Sequence, residues 1–274
     1  MKKLERVCAI THILTENPNK DFSLGTFAAR FGCAKSSISE DIKMIKQSVE
    51  QCGLGYLETT AGIKGGVRFV PYISDEETQN VLAKLKEAFE EPERVLGSGF
   101  LYTSDILFDP ELAKGAARIF ARHFASAEAD IVVTVETKGI GVALFTAELL
   151  NLPLAVLRRE SRVSEGSTVS INYFSGSADR IQQMSLSKRA VKPGARALII
   201  DDFMRGGGSI KGIEDMLAEF DAVHVGTGVV VVSGGTQGKK IGDYLPLLLM
   251  SENDEKKLVV KINPELDAAA DSRD

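Results

Sequence analysis

The chain has 274 residues, of which 44% are hydrophobic and 26% are charged, and it contains no tryptophan. These proportions are typical of a globular protein, and the length suffices for a small domain beside a medium one. The longest apolar runs, such as Val229 to Val232, fall far short of the roughly 20 residues that a membrane helix needs. Glu5, Arg6 and His12 also interrupt any secretory signal core. We therefore expect a cytoplasmic protein that does not contact a membrane.

The cysteines and histidines give no sign of a metal site. Cys8, Cys33 and Cys52 are an odd number without metal-like or redox spacing, and the three histidines are scattered along the chain. Isolated cysteines of this kind are typical of reduced thiols in a cytosolic protein. The sequence therefore predicts no zinc site.

Charge is distributed unevenly along the chain. The formal net charge is −5, but residues 1–72 hold ten basic and seven acidic residues, so they carry +3 and the remainder carries −8. A basic segment in front of an acidic body indicates that the segment meets an anion.

Three amphipathic helices are predicted in this basic segment. The first has apolar positions from Val7 to Leu14, and the second begins after the N-cap candidate Ser23 and ends at Gly32. The third follows a short turn and places Ile38, Ile42, Ile45 and Val49 on one face. Two helices joined by a short turn containing glycine are typical of a helix-turn-helix.

A β-hairpin is predicted directly after these helices, with strands at Gly55–Thr60 and Val67–Val70. Three helices followed by a hairpin form a winged helix, which we assign to residues 1–73. Serine and lysine side chains on the outer face of the third helix and at the wing tip suit contacts with phosphates and base edges of double-stranded operator DNA. The predicted DNA-binding residues are Lys35, Ser36, Ser37, Ser39, Lys43, Lys46 and Lys64. A winged helix that serves only protein contacts or dimerisation remains the alternative.

The rest of the chain, residues 74–274, alternates between strand and helix patterns. A capping box at Ser74–Glu77 opens a helix, and Asp109-Pro110 opens another. The alternating segments that follow are strand Ile131–Val135, helix Ile140–Leu150, strand Leu154–Leu157, strand Ala197–Ile200, helix Ser209–Phe220 and strand Val223–Val232. This alternation predicts an α/β domain with a mainly parallel sheet.

The segment Asp201 to Ser209, DDFMRGGGS, has the pattern of a ribose-and-phosphate loop. The buried strand Ala197–Ile200 is expected to stop at Asp201 and Asp202, and three glycines then lead into a helix. Consecutive glycines can form a nest of N–H groups that binds a phosphate, and the helix N-terminus adds partial positive charge. The two carboxylates can accept hydrogen bonds from ribose hydroxyls, directly or through a magnesium ion. Rossmann and P-loop patterns are absent.

The stretch ALIIDDFMRGGGS resembles the thirteen-residue phosphoribosyl pyrophosphate motif of type I phosphoribosyltransferases. This resemblance implies a pyrophosphate loop at Glu136–Gly139, a long flexible region at Arg158–Arg189, and a purine ring near Phe203, with Tyr102 as a second candidate. The predicted ligand-binding residues are Asp201, Asp202, Phe203, Arg205, Gly206, Gly207, Gly208, Ser209, Thr137, Lys138, Gly139 and Tyr102.

Four segments are similar to the purine operon repressor family of Gram-positive bacteria, in which a winged helix precedes a type I phosphoribosyltransferase-like domain. They are Ala34–Asp41, Gly65–Val67, Glu165–Tyr173 and Leu198–Met204. The resemblance implies a homodimeric regulator without known catalysis. Phosphoribosyl pyrophosphate, or a related phosphorylated nucleotide, would be its effector and would weaken operator binding. No further cofactor is implied.

One position bears on catalysis. Hypoxanthine-type transferases carry an aspartate four residues after the first acid of this loop, where it accepts a proton from the base, and here that place is Arg205. An arginine stays protonated and cannot act as a general base, so transfer is disfavoured, although adenine-type relatives do not depend on that aspartate. Two alternatives stay open: an active purine phosphoribosyltransferase with an accessory winged helix, and a protein-binding adaptor.

Overall fold

The structure is a computed structural model that describes residues 1–60, 66–91, 94–96, 100–160, 166–175, 180–234, 243–252 and 258–267. Its contacts divide the chain into two compact units. The first comprises Met1–Ser74 with Glu148–Asn151, and the second comprises Asp75–Ala147 with Leu152–Asp274.

The first unit contains three helices and a small sheet. Its elements are α1 Lys3–Thr15, β1 Phe22–Ser23, α2 Leu24–Phe31, α3 Lys35–Gln51, β2 Gly55–Thr60 and β3 Gly66–Pro71. Strands β2 and β3 form the predicted hairpin, and β1 adds a third strand by pairing antiparallel with β3. The three helices and the hairpin are confirmed, whereas the two-residue strand β1 was not predicted.

The apolar faces of the three helices meet in one core. Ile10, Phe27, Ile38, Ile45 and Val49 are buried there against side chains of the hairpin. On α3, the buried positions Ile38, Ile42, Ile45 and Val49 are three or four residues apart, so they share one face and exclude water together. Amphipathic spacing alone therefore accounts for how the unit packs.

Local signals fix the ends of helix α2 and the position of α3. The Ser23 hydroxyl accepts a hydrogen bond from the Thr26 amide at 3.0 Å, and Gly32 ends α2 with a left-handed φ of 62°. Buried Asp41 on α3 accepts two hydrogen bonds from Arg6 on α1, from Nε at 2.5 Å and from a terminal nitrogen at 3.2 Å. This paired charge ties α3 to α1.

The second unit is an α/β structure. Its helices are α4 Asp75–Glu90, α5 Ser104–Leu107, α6 Pro110–His123, α7 Ile140–Leu150, α8 Gly208–Glu219 and α9 Pro264–Asp267. Its strands are β4 Val95–Leu96, β5 Phe100–Leu101, β6 Ile131–Val135, β7 Leu154–Leu157, β8 Thr168–Ser175, β9 Arg180–Ser187, β10 Arg196–Met204, β11 Val223–Ser233, β12 Leu245–Glu252 and β13 Leu258–Ile262.

A six-stranded sheet organises this unit in the order β13-β12-β11-β10-β6-β7. Its neighbouring strands pair in parallel except at the β12–β13 edge, which is antiparallel. The prediction of a mainly parallel α/β sheet is confirmed. Because β7, β6 and β10 are adjacent and parallel, the loops that follow them leave the same edge of the sheet.

Helices cover both faces of this sheet. On one face, Ile210, Ile213 and Met216 of α8 join the buried core formed with β6, β10 and β11. On the other face, Phe120 of α6 lies so close to Gly228 that a Cβ there would be 2.7 Å from the ring. Burial on both faces explains the uniformly apolar strands in the sequence.

Strand β10 corrects one prediction. It was expected to stop at Asp201, but its parallel pairing with β11 continues through Asp201↔Val229 and Met204↔Val232. The apolar run of β11 offers partners for the whole stretch, so backbone pairing overrides the low strand preference of aspartate.

Strands β8 and β9 lie in the region that the resemblance had marked only as long and flexible. They pair antiparallel from Thr168↔Ser187 to Ser175↔Arg180. Their hairpin lies directly on helix α8 at Gly212, where a Cβ would be 2.7 Å from the Met184 methyl carbon and 3.0 Å from Tyr173. The missing side chain thus permits the close approach.

No helix among the described residues is both long and apolar enough to cross a membrane.

Candidate DNA interface and ligand site

Helix α3 presents the predicted DNA-binding residues of the first unit. The side chains of Lys35, Ser36, Lys43 and Lys46 are exposed, and those of Ser37 and Ser39 are half-buried. The helix buries its opposite face in the core, so its polar face remains available to a ligand. Lys64, the predicted wing-tip residue, lies outside the described residues.

The N-terminus of α3 is itself suited to a phosphate. Its N-cap residue, Ala34, makes no side-chain capping bond, so the first amides of the helix depend on other partners. Such amides, with the partial positive charge of the helix end, attract anions. Lys46 contacts Glu50 only at 3.9 Å, and this exposed pair leaves the lysine able to turn toward a phosphate at little cost.

In the second unit, the loops that follow β6 and β10 meet at one edge of the sheet. Gly139, in the turn after β6, lies against Asp201, because a Cβ at Gly139 would be 2.9 Å from both Asp201 Oδ1 and Thr134 Oγ1. The structure therefore places the predicted pyrophosphate loop beside the predicted ribose-binding acids, 62 residues away in sequence. The peptide bond between Glu136 and Thr137 is cis.

The two acids sit in an environment that disfavours their charge. Burial raises the pKa of Asp201 well above its usual range, and the neighbouring charge of Asp202 raises it further. Burial also raises the pKa of Asp202, whereas a hydrogen bond with Asp201 lowers it. The Asp202 amide donates to Asp201 Oδ1 at 3.0 Å, which fixes the orientation of the first carboxyl group. A ligand that supplies hydroxyl donors or a cation would stabilise the charged pair.

The glycine segment after β10 forms the start of helix α8. Gly207 has a φ of 74°, in the left-handed region that favours glycine, and it is the N-cap of α8 without a side-chain capping bond. Gly207 and Gly208 are buried, Gly206 and Ser209 are half-buried, and Arg205 is exposed. Uncapped amides beside an exposed arginine are chemically suited to a phosphate group.

Two cations flank the acids. Lys138 Nζ donates to Thr103 Oγ1 at 3.0 Å, and its charge lowers the pKa of Asp202. Arg159, two residues after the end of β7, lowers the pKa of Asp201 in the same way. The Arg159 amide donates to Glu136 at 2.6 Å, so the turn after β6 is tied to the segment after β7. Lysine and arginine at this edge would attract a multiply charged anion.

Thr103 and Arg159 were not among the predicted site residues, and Glu136 was predicted only as part of the pyrophosphate loop. Arg159 could have been found, because it follows a strand parallel to β6 and must emerge at the same edge. Thr103 gave no signal, since its contact with Lys138 joins segments 35 residues apart.

The candidates for a purine ring differ in their surroundings. Tyr102 is 49% exposed and neighbours Thr103, whereas Phe203 on β10 is half-buried. Thr137 is exposed in the turn after β6. Among the described residues, no group of three or more histidines, cysteines, aspartates or glutamates could hold a metal ion.

Comparisons with known proteins match two separate parts of the chain. Residues 2–71 match the family model for the N-terminal part of the bacterial purine repressor, and residues 103–260 match that for the phosphoribosyl transferase domain. The chain is 42% identical over 257 residues to the purine biosynthesis transcriptional repressor PurR of Bacillus subtilis, covering 94% of this chain and 90% of that protein. It is 39% identical over 255 residues to the purine biosynthesis transcriptional activator PurR of Lactococcus lactis, covering 93% and 94%.

Among solved structures, the adenine phosphoribosyltransferase of Thermoanaerobacter pseudethanolicus resembles the chain with a TM-score of 0.53 and 17% identity. The match covers 61% of this chain and 99% of that one. At this identity it shows the fold alone.

A winged helix followed by a phosphoribosyltransferase domain defines the class to which the molecule belongs. Within that class, the chain belongs to the bacterial purine repressor family. The resemblance found in the sequence and the predicted fold class are both confirmed.

Proposed function

We propose that this chain regulates transcription of purine biosynthesis genes by binding operator DNA, and that phosphoribosyl pyrophosphate weakens this binding. The observation that carries the proposal is the presence, in one chain, of the exposed basic face of helix α3 and an acid pair followed by the glycine segment that starts α8. The relatives named as regulators of purine biosynthesis support the same function. Because they include a repressor and an activator, we propose repression as the main mode and leave activation to individual promoters.

In this proposal the first unit contacts the DNA backbone and base edges through helix α3. Lys43 and Lys46 are exposed on the face opposite the core, and the uncapped start of α3 adds amide donors. Phosphate contacts of this type release counterions, so affinity must fall steeply as salt rises. The protein acts as a cytoplasmic homodimer whose two recognition helices match two half-sites.

The second unit binds the effector at the edge of its sheet. Asp201 and Asp202 accept hydrogen bonds from ribose hydroxyls, or would hold a Mg²⁺ ion that binds the same ligand, and the amides at the glycine segment meet the 5′-phosphate. Lys138 and Arg159 flank the acids, and the negative charge of a pyrophosphate can neutralise these two cations. A related phosphorylated nucleotide would use the same contacts.

Sensing is favoured over catalysis by one residue. Arg205 occupies the place where hypoxanthine-type transferases carry a proton-accepting aspartate, and it is exposed beside the nest. An arginine can bind phosphate, but it cannot accept a proton near neutral pH because its guanidinium is already protonated. The effector then shifts the dimer between two geometries, which needs a coupling of only about 1–3 kcal/mol.

The test is a fluorescence-anisotropy titration of promoter DNA with the full chain, with and without phosphoribosyl pyrophosphate and Mg²⁺. We expect the apparent Kd for DNA to rise with the effector; an unchanged Kd would overturn the sensing proposal. A Kd without salt dependence would instead favour the protein-binding adaptor.

A second candidate function is purine phosphoribosyl transfer, favoured by the matching phosphoribosyl transferase domain. It predicts release of pyrophosphate when purine bases and phosphoribosyl pyrophosphate are supplied together. A coupled pyrophosphate assay decides between the two functions.

A further inference from the structure

A buried arginine organises the segment that precedes helix α5. The Arg94 side chain is only 7% exposed, and its guanidinium donates to Asp105 at 2.7 and 2.9 Å and to Glu91 at 2.7 Å. It also donates to the Tyr102 carbonyl at 3.3 Å, while the Tyr102 amide donates to the Arg94 carbonyl at 3.0 Å. Side chain and backbone of Arg94 thus hold Tyr102 from both sides.

The hydroxyl of the next residue, Thr103, does not cap the helix that this residue begins. Thr103 is the N-cap of α5, yet its side chain makes no capping bond. It is 4% exposed, and its hydroxyl accepts a hydrogen bond from Lys138 Nζ at 3.0 Å. A threonine at an N-cap ordinarily satisfies helix amides. Here the hydroxyl oxygen instead accepts a hydrogen bond from Lys138, which lies in the turn after β6.

Lys138 reaches the ligand site from this position. The next residue, Gly139, lies against the acid pair, because a Cβ there would be 2.9 Å from Asp201 Oδ1, and the Lys138 ammonium lowers the pKa of Asp202. The contacts therefore run from Arg94 through Tyr102 and Thr103 to Lys138. A flexible lysine loses side-chain entropy when it binds an anion, and a partner that holds it in place beforehand reduces that loss.

We propose that Thr103, held in place by Arg94, is a positioning residue that keeps Lys138 directed at the anionic effector and thereby strengthens effector binding. The inference rests on the proposed function, because it assigns a role at the same ligand site. It adds Thr103, whose hydroxyl bonds with Lys138, to the residues of that site.

The test measures binding of phosphoribosyl pyrophosphate with Mg²⁺ to the full-length chain by calorimetry. Thr103→Val keeps the shape but removes the hydroxyl, and we expect it to raise the effector Kd about tenfold, as for loss of a hydrogen bond to a charged group. Thr103→Ser restores the hydroxyl and should return the Kd to within about twofold of the wild type. Operator affinity without effector should be the same for all three proteins.

A double-mutant cycle with Lys138→Met separates positioning from a general structural effect. If Thr103 acts through Lys138, Thr103→Val has no further effect on Kd in the Lys138→Met background. An equal loss in both backgrounds would overturn the proposal, as would tighter binding by Thr103→Val. Arg94→Lys provides a second route to the same question, and its loss of affinity should also shrink in the Lys138→Met background.

Failure of the inference and failure of the proposed function give different results. If the wild-type chain does not bind the effector, the proposed function fails. If the wild type binds and Thr103→Val binds equally well, only the positioning role is wrong. Thermal unfolding of each variant shows whether a change in Kd accompanies loss of the fold.

Discussion

Apart from Lys64, the candidate DNA surface comes from one continuous stretch, residues 35–46, whereas the ligand site collects residues 102–103, 136–139, 159 and 201–209. The lysines of the first are exposed on a helix whose other face makes the core. The acids of the second are withdrawn from water, and their pKa values are raised by burial. Side chains on the outer face of α3 can therefore change with little effect on folding, while changes at the acids alter both ligand binding and stability.

The largest effect is expected from removing the charges of the acid pair, which should weaken effector binding and leave DNA binding unchanged. The double variant Asp201→Asn/Asp202→Asn keeps the shapes but removes both charges, and we expect the effector Kd to rise roughly 100-fold or more, since each hydrogen bond to a charged group contributes about 1.5–3 kcal/mol. Calorimetry measures that loss, and anisotropy should give unchanged operator affinity. Loss of DNA binding as well would mean that the acids hold the fold together rather than bind a ligand.

The next effect tests how tightly the ligand loops are packed. Gly139→Ala places a Cβ 2.9 Å from Asp201 Oδ1, and we expect it to lower the free energy of unfolding by about 1–3 kcal/mol, as overpacking does. Effector binding should weaken in parallel. Gly25→Ala is the matched control, because its Cβ would lie no closer than 3.5 Å to the Lys35 side chain. Equal urea-unfolding curves for both variants would show that the loop yields to the extra methyl group.

A smaller effect is expected on the DNA surface. Lys43→Gln/Lys46→Gln should weaken operator binding about tenfold, and the slope of log K against log salt should become shallower by about one for each phosphate that a lysine no longer neutralises. Lys84→Gln is the control, since Lys84 is exposed in the second unit and pairs with Glu111. Titrations at several salt concentrations measure the slope. An unchanged slope would remove these lysines from the interface.

The smallest effect concerns pH. Because the pKa of Asp201 is raised in the folded protein, the folded state binds more protons than the unfolded chain above about pH 4. The free energy of unfolding therefore falls as pH rises from the unfolded pKa to the folded one. Asp201→Asn cannot ionise, yet its side-chain oxygen can still accept from the Asp202 amide. Urea unfolding across this pH range should show a shallower decline for the variant, and identical slopes would contradict it.

Local patterns predicted the first unit well because its structure depends on neighbours in sequence. Periodicity gave α1, α2 and α3, and Ser23 and Gly32 marked the ends of α2. The loop at residues 201–209 was predicted because acids and glycines at a strand end are informative by themselves, whereas the loop at residues 136–139 was predicted only from the family resemblance. Which of these residues bind a ligand stays a prediction.

Elements that depend on distant partners were missed. Strand β13 exists because it pairs with β12, and neither its short apolar run nor that of β12 alternates in a way that distinguishes strand from buried helix. The extension of β10 beyond Ile200 likewise depends on pairing with β11. Thr103 joins the site through a hydrogen bond that no spacing rule describes. Tertiary pairing, rather than local preference, decides these features.

The close packing of the β8–β9 hairpin on Gly212 of α8 offers a way to detect ligand binding at the glycine segment. The hairpin of β8 and β9 rests on the α8 backbone one turn after the glycine nest, where Gly212 has no side chain to separate them. A ligand that stiffens the nest should therefore also slow opening of the hairpin. Hydrogen exchange at the β8 amides could then report occupancy of the nest without a label in the site, in the intact protein and in the presence of DNA.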